Sequence, residues 1–249
     1  MKQAAANKVM KAVVILAGQS NMLGHGQLQD LDVAPMPRAV KLFDLNPREG
    51  FFGPEVGFAY NLLELMPLDE LWLLKYAVGG TSLYAWIPDW SAERAAAIGQ
   101  AEHGPLYQRL MNHFQQVTQG AEVDVIACLW MQGESDSRHE VAAAQYERNL
   151  KRLVSSLCHD LNQPDMPFIA GLVNPPSDVW SYVSVVRNAQ RKVAQTAANV
   201  CLVETDGLSK LEDDLHYDSA GQLELGRRFA VRLYQHLGKT SSILQNPEH

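Results

Sequence analysis

Five short apolar runs, at residues 12–17, 71–78, 123–130, 168–173 and 200–203, constrain what this chain can fold into more than any other feature. Each has the length of a strand and is rich in Val, Ile, Leu or aromatic residues, the pattern of strands buried on both faces. A weaker run lies at 39–43. Helix-period patterns fill the intervals near 56–65, 106–119, 140–161, 179–197 and 220–237. Strands alternating with helices predict an α/β fold, a three-layer α/β/α sandwich around a central parallel sheet. Right-handed crossovers then bring all the strand carboxyl ends to one edge. We find no repeat, linker or low-complexity tract, so one domain is expected over residues 1–249, with a core at about 12–238 and a tail at 240–249.

Composition limits the partners. The chain of 249 residues is long enough to bury a sizeable core. Its 21 Lys and Arg against 28 Asp and Glu leave a net charge of -7, which argues against a nucleic-acid binder. No stretch approaches the ~18 consecutive apolar residues of a membrane span. Neither nucleic acid nor membrane is expected as a partner, while the charge says little about a neutral small-molecule or oligosaccharide ester substrate. Cys128, Cys158 and Cys201 fall in or beside apolar runs with no zinc or disulfide spacing, and read as small buried hydrophobes. The first apolar run belongs to the core, so no cleavable leader is read in residues 1–11. The chain as given is expected in the cytoplasm; a leader already removed would make it secreted or periplasmic.

Directly after the first run stands Gly18-Gln19-Ser20-Asn21-Met22, which puts Ser20 at a strand carboxyl end, where open α/β sheets hold ligands. The Gly79-Gly80 pair and Gln132-Gly133-Glu134 follow two other strands, so all three segments converge on one edge. Far downstream, Asp213 and His216 place an acid and an imidazole three positions apart. A serine hydroxyl becomes a nucleophile when an imidazole takes its proton and a carboxylate holds the other ring nitrogen. Asp213 is chosen over Asp214 because its neighbour points elsewhere when Asp213 reaches the ring. The competing explanation is that Ser20 and His216 merely cap helices. Acyl transfer also needs donors for the developing oxyanion, and the Ser20 N–H, the Gly80 N–H and the Gln132 side-chain amide are candidates. Three rival glycine motifs fail. Gln29 breaks the dinucleotide fingerprint after Gly24-His25-Gly26, no Lys-Ser/Thr follows Gly18, and Met22 stands where the α/β-hydrolase elbow requires glycine.

Gly18-Gln19-Ser20-Asn21-Met22, Gly79-Gly80-Thr81-Ser82, Trp130-Met131-Gln132-Gly133-Glu134-Ser135-Asp136 and Asp213-x-x-His216, in this order, resemble the blocks of the SGNH/GDSL hydrolase superfamily. Within it the sequence is similar to carbohydrate esterase family 6, the branch of acetylxylan esterases, which is related to sialate O-acetylesterases. The likeness runs from about Val13 to Arg228. It implies a flavodoxin-like SGNH fold and hydrolysis of carbohydrate O-acetyl esters through an acyl-serine, without metal or organic cofactor. It makes Ser20 the nucleophile, His216 the base, Asp213 its orienting acid, and Ser20, Gly80 and Gln132 the oxyanion donors. Gln132 stands where the superfamily generally has asparagine, and glutamine is the form expected of this branch. Whether Gly79 or Gly80 donates stays open. A broad small-acyl esterase, a sialate O-acetylesterase and a non-catalytic carbohydrate binder are the alternatives.

Glu134 is given a supporting role, bracing Gln132 or a loop in preference to partnering His216, because a charge beside the oxyanion would oppose catalysis. Asp136 is read the same way. Tyr84, Trp86 and Trp90 follow Gly80 and either stack on sugar or pack their loop onto the sheet. The loops 28–37 and 46–54 are expected to overhang the active edge. His25 and His103 are read as incidental on such loops, and His113, His139, His159 and His236 as solvent-facing beside helices.

Overall fold

The computed structural model describes residues 11–66 and 68–240; residues 1–10 and most of the expected tail, from 241 on, lie outside the described residues. Its strands are β1 (Lys11–Gly18), β2 (Gly26–Gln27), β3 (Val40–Asp44), β4 (Phe51–Phe52), β5 (Leu71–Ala77), β6 (Val123–Met131), β7 (Phe168–Gly171) and β8 (Val200–Val203). Its helices are α1 (Ser20–Leu23), α2 (Glu55–Leu65), α3 (Ala92–Ala96), α4 (Leu106–Thr118), α5 (Glu140–Asp160), α6 (Val183–Thr196) and α7 (Ser219–Thr240). Six strands form one sheet in the order β3-β5-β1-β6-β7-β8, and every pairing is parallel. The central strands are mostly apolar because both of their faces are covered, Lys75 of β5 and Asp124 of β6 being exceptions. All of β5 is buried, and so is β1 beyond Lys11. The weak run near residue 40 is the edge strand β3.

The chain leaves β1 to build β3 and β5 on one side, then crosses to β6 on the other. The loops after β1, β5 and β6 therefore meet where strand order reverses, the crevice in which such sheets bind ligands. On the helical layers, α2 packs against α7 and α5 against α6. Helix α5 buries Ala142, Ala143, Tyr146, Leu150, Leu153, Val154 and Leu157, a stripe at the three-to-four-residue spacing of a helix face. Where α2 crosses α7 the backbones touch: a Cβ on Gly226 would lie 2.2 Å from the Pro54 carbonyl oxygen, and one on Gly57 2.1 Å from that of Leu223. Only glycine permits this approach.

Two features depart from the sequence reading. The helix expected from residue 179 begins at Val183, because Pro175-Pro176 are followed by a turn in which the Trp180 N–H donates to the Pro176 carbonyl. The short antiparallel ribbon of β2 and β4 was not foreseen, its two-residue strands being too brief for a periodic pattern. No helix among the described residues is long and apolar enough to cross a membrane.

Candidate active site

The loops after β1, β5 and β6, together with the segment before α7, surround a cleft of about 450 Å³ lined by Gln19, Ser20, His25, Gly79, Gly80 and His216 among others. A larger cavity of about 750 Å³, between the C-terminal halves of α5 and α6, contains none of these residues. Ser20 and His216, 196 positions apart, meet in the cleft: Ser20 Oγ lies 3.0 Å from His216 Nε2. The other ring nitrogen, Nδ1, is 2.5 Å from Asp213 Oδ2. Asp213 Oδ1 also accepts the backbone N–H groups of Leu215 at 3.0 Å and His216 at 2.9 Å. Burial opposes its charge, but these N–H groups and the ring of His216 outweigh that and hold its pKa at about 2. Asp214, with φ 51°, turns away and pairs with Lys210 at 3.4 Å.

Asn21 joins the two chain segments that carry this pair. Its Nδ2 donates to Glu134 Oε1 at 2.8 Å and to the Leu215 carbonyl at 3.2 Å, while its Oδ1 accepts the Tyr217 N–H at 3.0 Å. One side chain thus grips the peptides on both sides of His216. Glu134 is buried, its Oε2 has no hydrogen bond, and burial pushes its pKa up. Its side-chain partner is Asn21, while the amide of Gln132 bonds elsewhere. Asp136, also buried, receives Ser82 Oγ at 2.7 Å, the Leu83 N–H at 3.0 Å and Gln132 Nε2 at 2.5 Å, which pins the loop behind Gly80. Below the nucleophile turn, buried Lys75 donates to the Leu23 carbonyl at 2.9 Å and pairs with Glu55 at 2.9 Å, so its charge is compensated.

The oxyanion donors need one correction. Gln132 is fully buried and does not line the cleft. Its Nε2 donates to the Thr81 carbonyl at 2.9 Å and to Asp136, and its Oε1 lies 3.2 Å from the Tyr146 hydroxyl. Both amide hydrogens are committed inward, so this side chain has none left for a substrate. Gln19 lines the cleft, and its side-chain amide lies beside that of Gln132, whose Nε2 is 3.4 Å from Gln19 Oε1. Gln19 Oε1 also faces the backbone N–H groups of Gly133 and Ser135, each at 3.3 Å, and two donors require an acceptor there. Its Nε2 is left without a hydrogen bond among the described residues. Gly79 and Gly80 both line the cleft, and Gly80 adopts φ 73°, a conformation that favours glycine.

The aromatics after Gly80 do not face substrate. Tyr84 and Trp86 are buried, Trp86 edge-on to Trp130 at 5.4 Å, and none of Tyr84, Trp86 and Trp90 lines the cleft. Trp180, from the turn before α6, lines it instead and carries the Arg138 guanidinium 4.6 Å from its ring. Arg48 and His139 are on the wall too, so the loop 46–54 does border the cleft, whereas 28–37 contributes no lining residue. His25 is far from incidental: its ring lies 4.1 Å from that of His216. His103 stays outside the cleft beside Glu102, and His113 reaches the Phe43 carbonyl at 3.2 Å instead of facing solvent. His236 likewise contacts Cys201, 3.2 Å from its sulfur. Cys128, Cys158 and Cys201 are buried and form no disulfide among the described residues.

A parallel six-stranded sheet flanked by helices, with this cleft at its carboxyl edge, is the fold of the carbohydrate esterases. The chain matches the family "carbohydrate esterase, sialic acid-specific acetylesterase" over residues 10–235 and belongs to it. It is 28% identical over 250 residues to the probable carbohydrate esterase At4g34215 of Arabidopsis thaliana, covering 88% of each chain. The X-ray structure of that Arabidopsis protein superposes with a TM-score of 0.74, covering 90% of this chain and 98% of the other at 25% identity. XAC1771, a carbohydrate acetylesterase from Xanthomonas citri, and NanS share the fold at TM-scores of 0.71 and 0.69, each at 16% identity. The match covers 93% of this chain and 57% of XAC1771, and 92% of this chain and 98% of NanS.

Proposed function

We propose that this chain, acting as one esterase domain, removes O-acetyl groups from carbohydrates through an acyl-serine, as members of carbohydrate esterase family 6 are expected to do. The observation that carries the reading is the unbroken hydrogen-bonded line from Ser20 Oγ through the His216 ring to Asp213. In this mechanism Ser20 Oγ attacks the acetyl carbonyl as its proton passes to His216 Nε2. Asp213 holds the Nδ1–H and stabilises the imidazolium. The oxyanion is received by the N–H groups of Ser20 and Gly80 and by Gln19 Nε2. His216 returns the proton to the departing sugar oxygen. A water then gives its proton to the same ring and attacks the acyl carbon; the bond to Ser20 Oγ breaks, the ring returns the proton to Oγ, and acetate leaves. None of these steps calls on a metal or cofactor. The indole of Trp180 and the arginines 48 and 138 on the wall supply a stacking surface and hydrogen-bond donors for a sugar.

The test is acetate release from a panel that includes acetylated xylan and O-acetylated sialic acid, with wild type and Ser20→Ala side by side. Wild type should release acetate from at least one saccharide, and Ser20→Ala should fall to background. Turnover by Ser20→Ala at the wild-type rate would overturn the nucleophile. Efficient cleavage of longer acyl esters with none of the acetylated sugars would favour the broad small-acyl esterase. Failure of a fluorophosphonate probe to label Ser20, together with tight sugar binding, would favour a non-catalytic binder.

A further inference from the structure

His25 has no part in the mechanism above, yet its imidazole covers one face of His216, with ring centroids 4.1 Å apart and planes inclined by 30°. It stands between the end of α1 and β2, on the turn that Gly24 opens with φ 102°. Arg48 pins that turn from across the ribbon. Its Nη1 donates to the Gly24 carbonyl at 2.9 Å and lies 3.4 Å from His25 Nδ1, while its guanidinium rests 4.1 Å from the Phe51 ring. Guanidinium can only donate, so Nδ1 of His25 is the acceptor and the ring proton sits on Nε2. The charged and titratable groups around it are His216 and Asp213, from the segment before α7, and Arg48. Burial together with the two cationic neighbours outweighs Asp213 and lowers the pKa of His25 to about 4. The ring is therefore neutral when His216 is carrying a proton.

We propose that His25 is a positioning residue whose neutral aromatic face holds the His216 ring in line with Ser20 and shelters the imidazolium formed at each proton transfer. The proposal rests on His216 being the general base. A ring pinned on one face cannot rotate its Nε2 away from the serine without breaking the stack. A neutral π face near a cation attracts it, whereas a second charged imidazole there would repel it. Burial is the main reason the face stays uncharged, with His216 and Arg48 adding to it, and Arg48 also holds the turn in place.

Full-length His25→Phe and His25→Leu enzymes separate this role from simple space filling, since both are bulky and apolar and only Phe presents a π face. Steady-state hydrolysis of 4-nitrophenyl acetate should show kcat about tenfold lower in His25→Leu with KM nearly unchanged, and most of that loss recovered in His25→Phe. Losing the face removes stabilisation of the charged ring, so the acid limb of the kcat/KM profile should move to lower pH by about half a unit in His25→Leu and stay in His25→Phe. A kcat in His25→Leu equal to wild type, or one in His25→Phe as low as in His25→Leu, would overturn the role of His25. Ser20→Ala assayed in parallel isolates the underlying reading. If it is inactive while His25→Leu matches wild type, only His25 is misassigned. If it turns over normally, the serine mechanism itself falls.

Discussion

Gln19 ends in an amide whose two atoms serve different parts of the molecule. The oxygen is spent on backbone donors of the segment after β6, and the nitrogen has no hydrogen bond among the described residues. Gln132 uses its whole amide inside the protein. The two glutamines should therefore fail differently when truncated. Gln19→Ala is expected to lower kcat on 4-nitrophenyl acetate by roughly 100- to 1000-fold, as removal of an oxyanion donor does elsewhere. Gln132→Ala is expected to act first on stability, by about 1–3 kcal/mol in chemical denaturation, because it strands buried polar partners. Equal kcat losses at unchanged stability in both would contradict this division. The sequence shows an amide beside Ser20 and another after the third strand, and only packing decides which residue lines the cleft. Ser20, Asp213 and His216 were legible because their spacing and order carry the chemistry. The partner of Glu134 was not, because Asn21 and Glu134 are 113 positions apart.

At the scale of elements, the Glu134–Asn21 contact ties α1 to the segments after β6 and before α7. Burial raises the pKa of Glu134, so above the ordinary glutamate range the folded protein holds this proton to a higher pH than the unfolded chain does. Stability should then decline as pH rises above the ordinary glutamate range near 4.3. Glu134→Gln removes that charge, and its oxygen can still accept from Asn21. The variant should melt higher than wild type at pH 8, and the gap should close toward pH 4 as wild type becomes protonated. A gap that is constant across this range, measured by thermal unfolding, would show that Glu134 does not titrate in it. Element positions were easy to read wherever a run was long and apolar on both faces, as in β1, β5 and β6. The start of α6 was misplaced because its apolar periodicity continues through Val179 and Trp180, while the prolines before them hold that stretch in a turn that delivers Trp180 to the cleft. The β2–β4 ribbon depends on pairing between distant short segments, which no local pattern encodes.

For the whole molecule, the contact of α2 with α7 matters to the site because α7 begins three residues after His216. Any change in the depth at which α7 docks displaces the base. Gly226→Ala forces a methyl to within 2.4 Å of the Phe58 nitrogen as well as against Pro54. We expect a loss of about 3 kcal/mol, seen as a fall in melting temperature of roughly 6–12 °C, together with slower ester hydrolysis below the transition. A variant with the melting temperature and rate of wild type would show that the helices separate at no cost. The grip of Asn21 on both sides of His216 has a different reach. It makes Ser20 and His216, far apart in the chain, parts of one hydrogen-bonded unit. Wall residues that touch neither this unit nor His25 can change side chains without altering the 3.0 Å between Ser20 Oγ and His216 Nε2. Under the proposed function, one reacting pair can then serve differently shaped sugar esters.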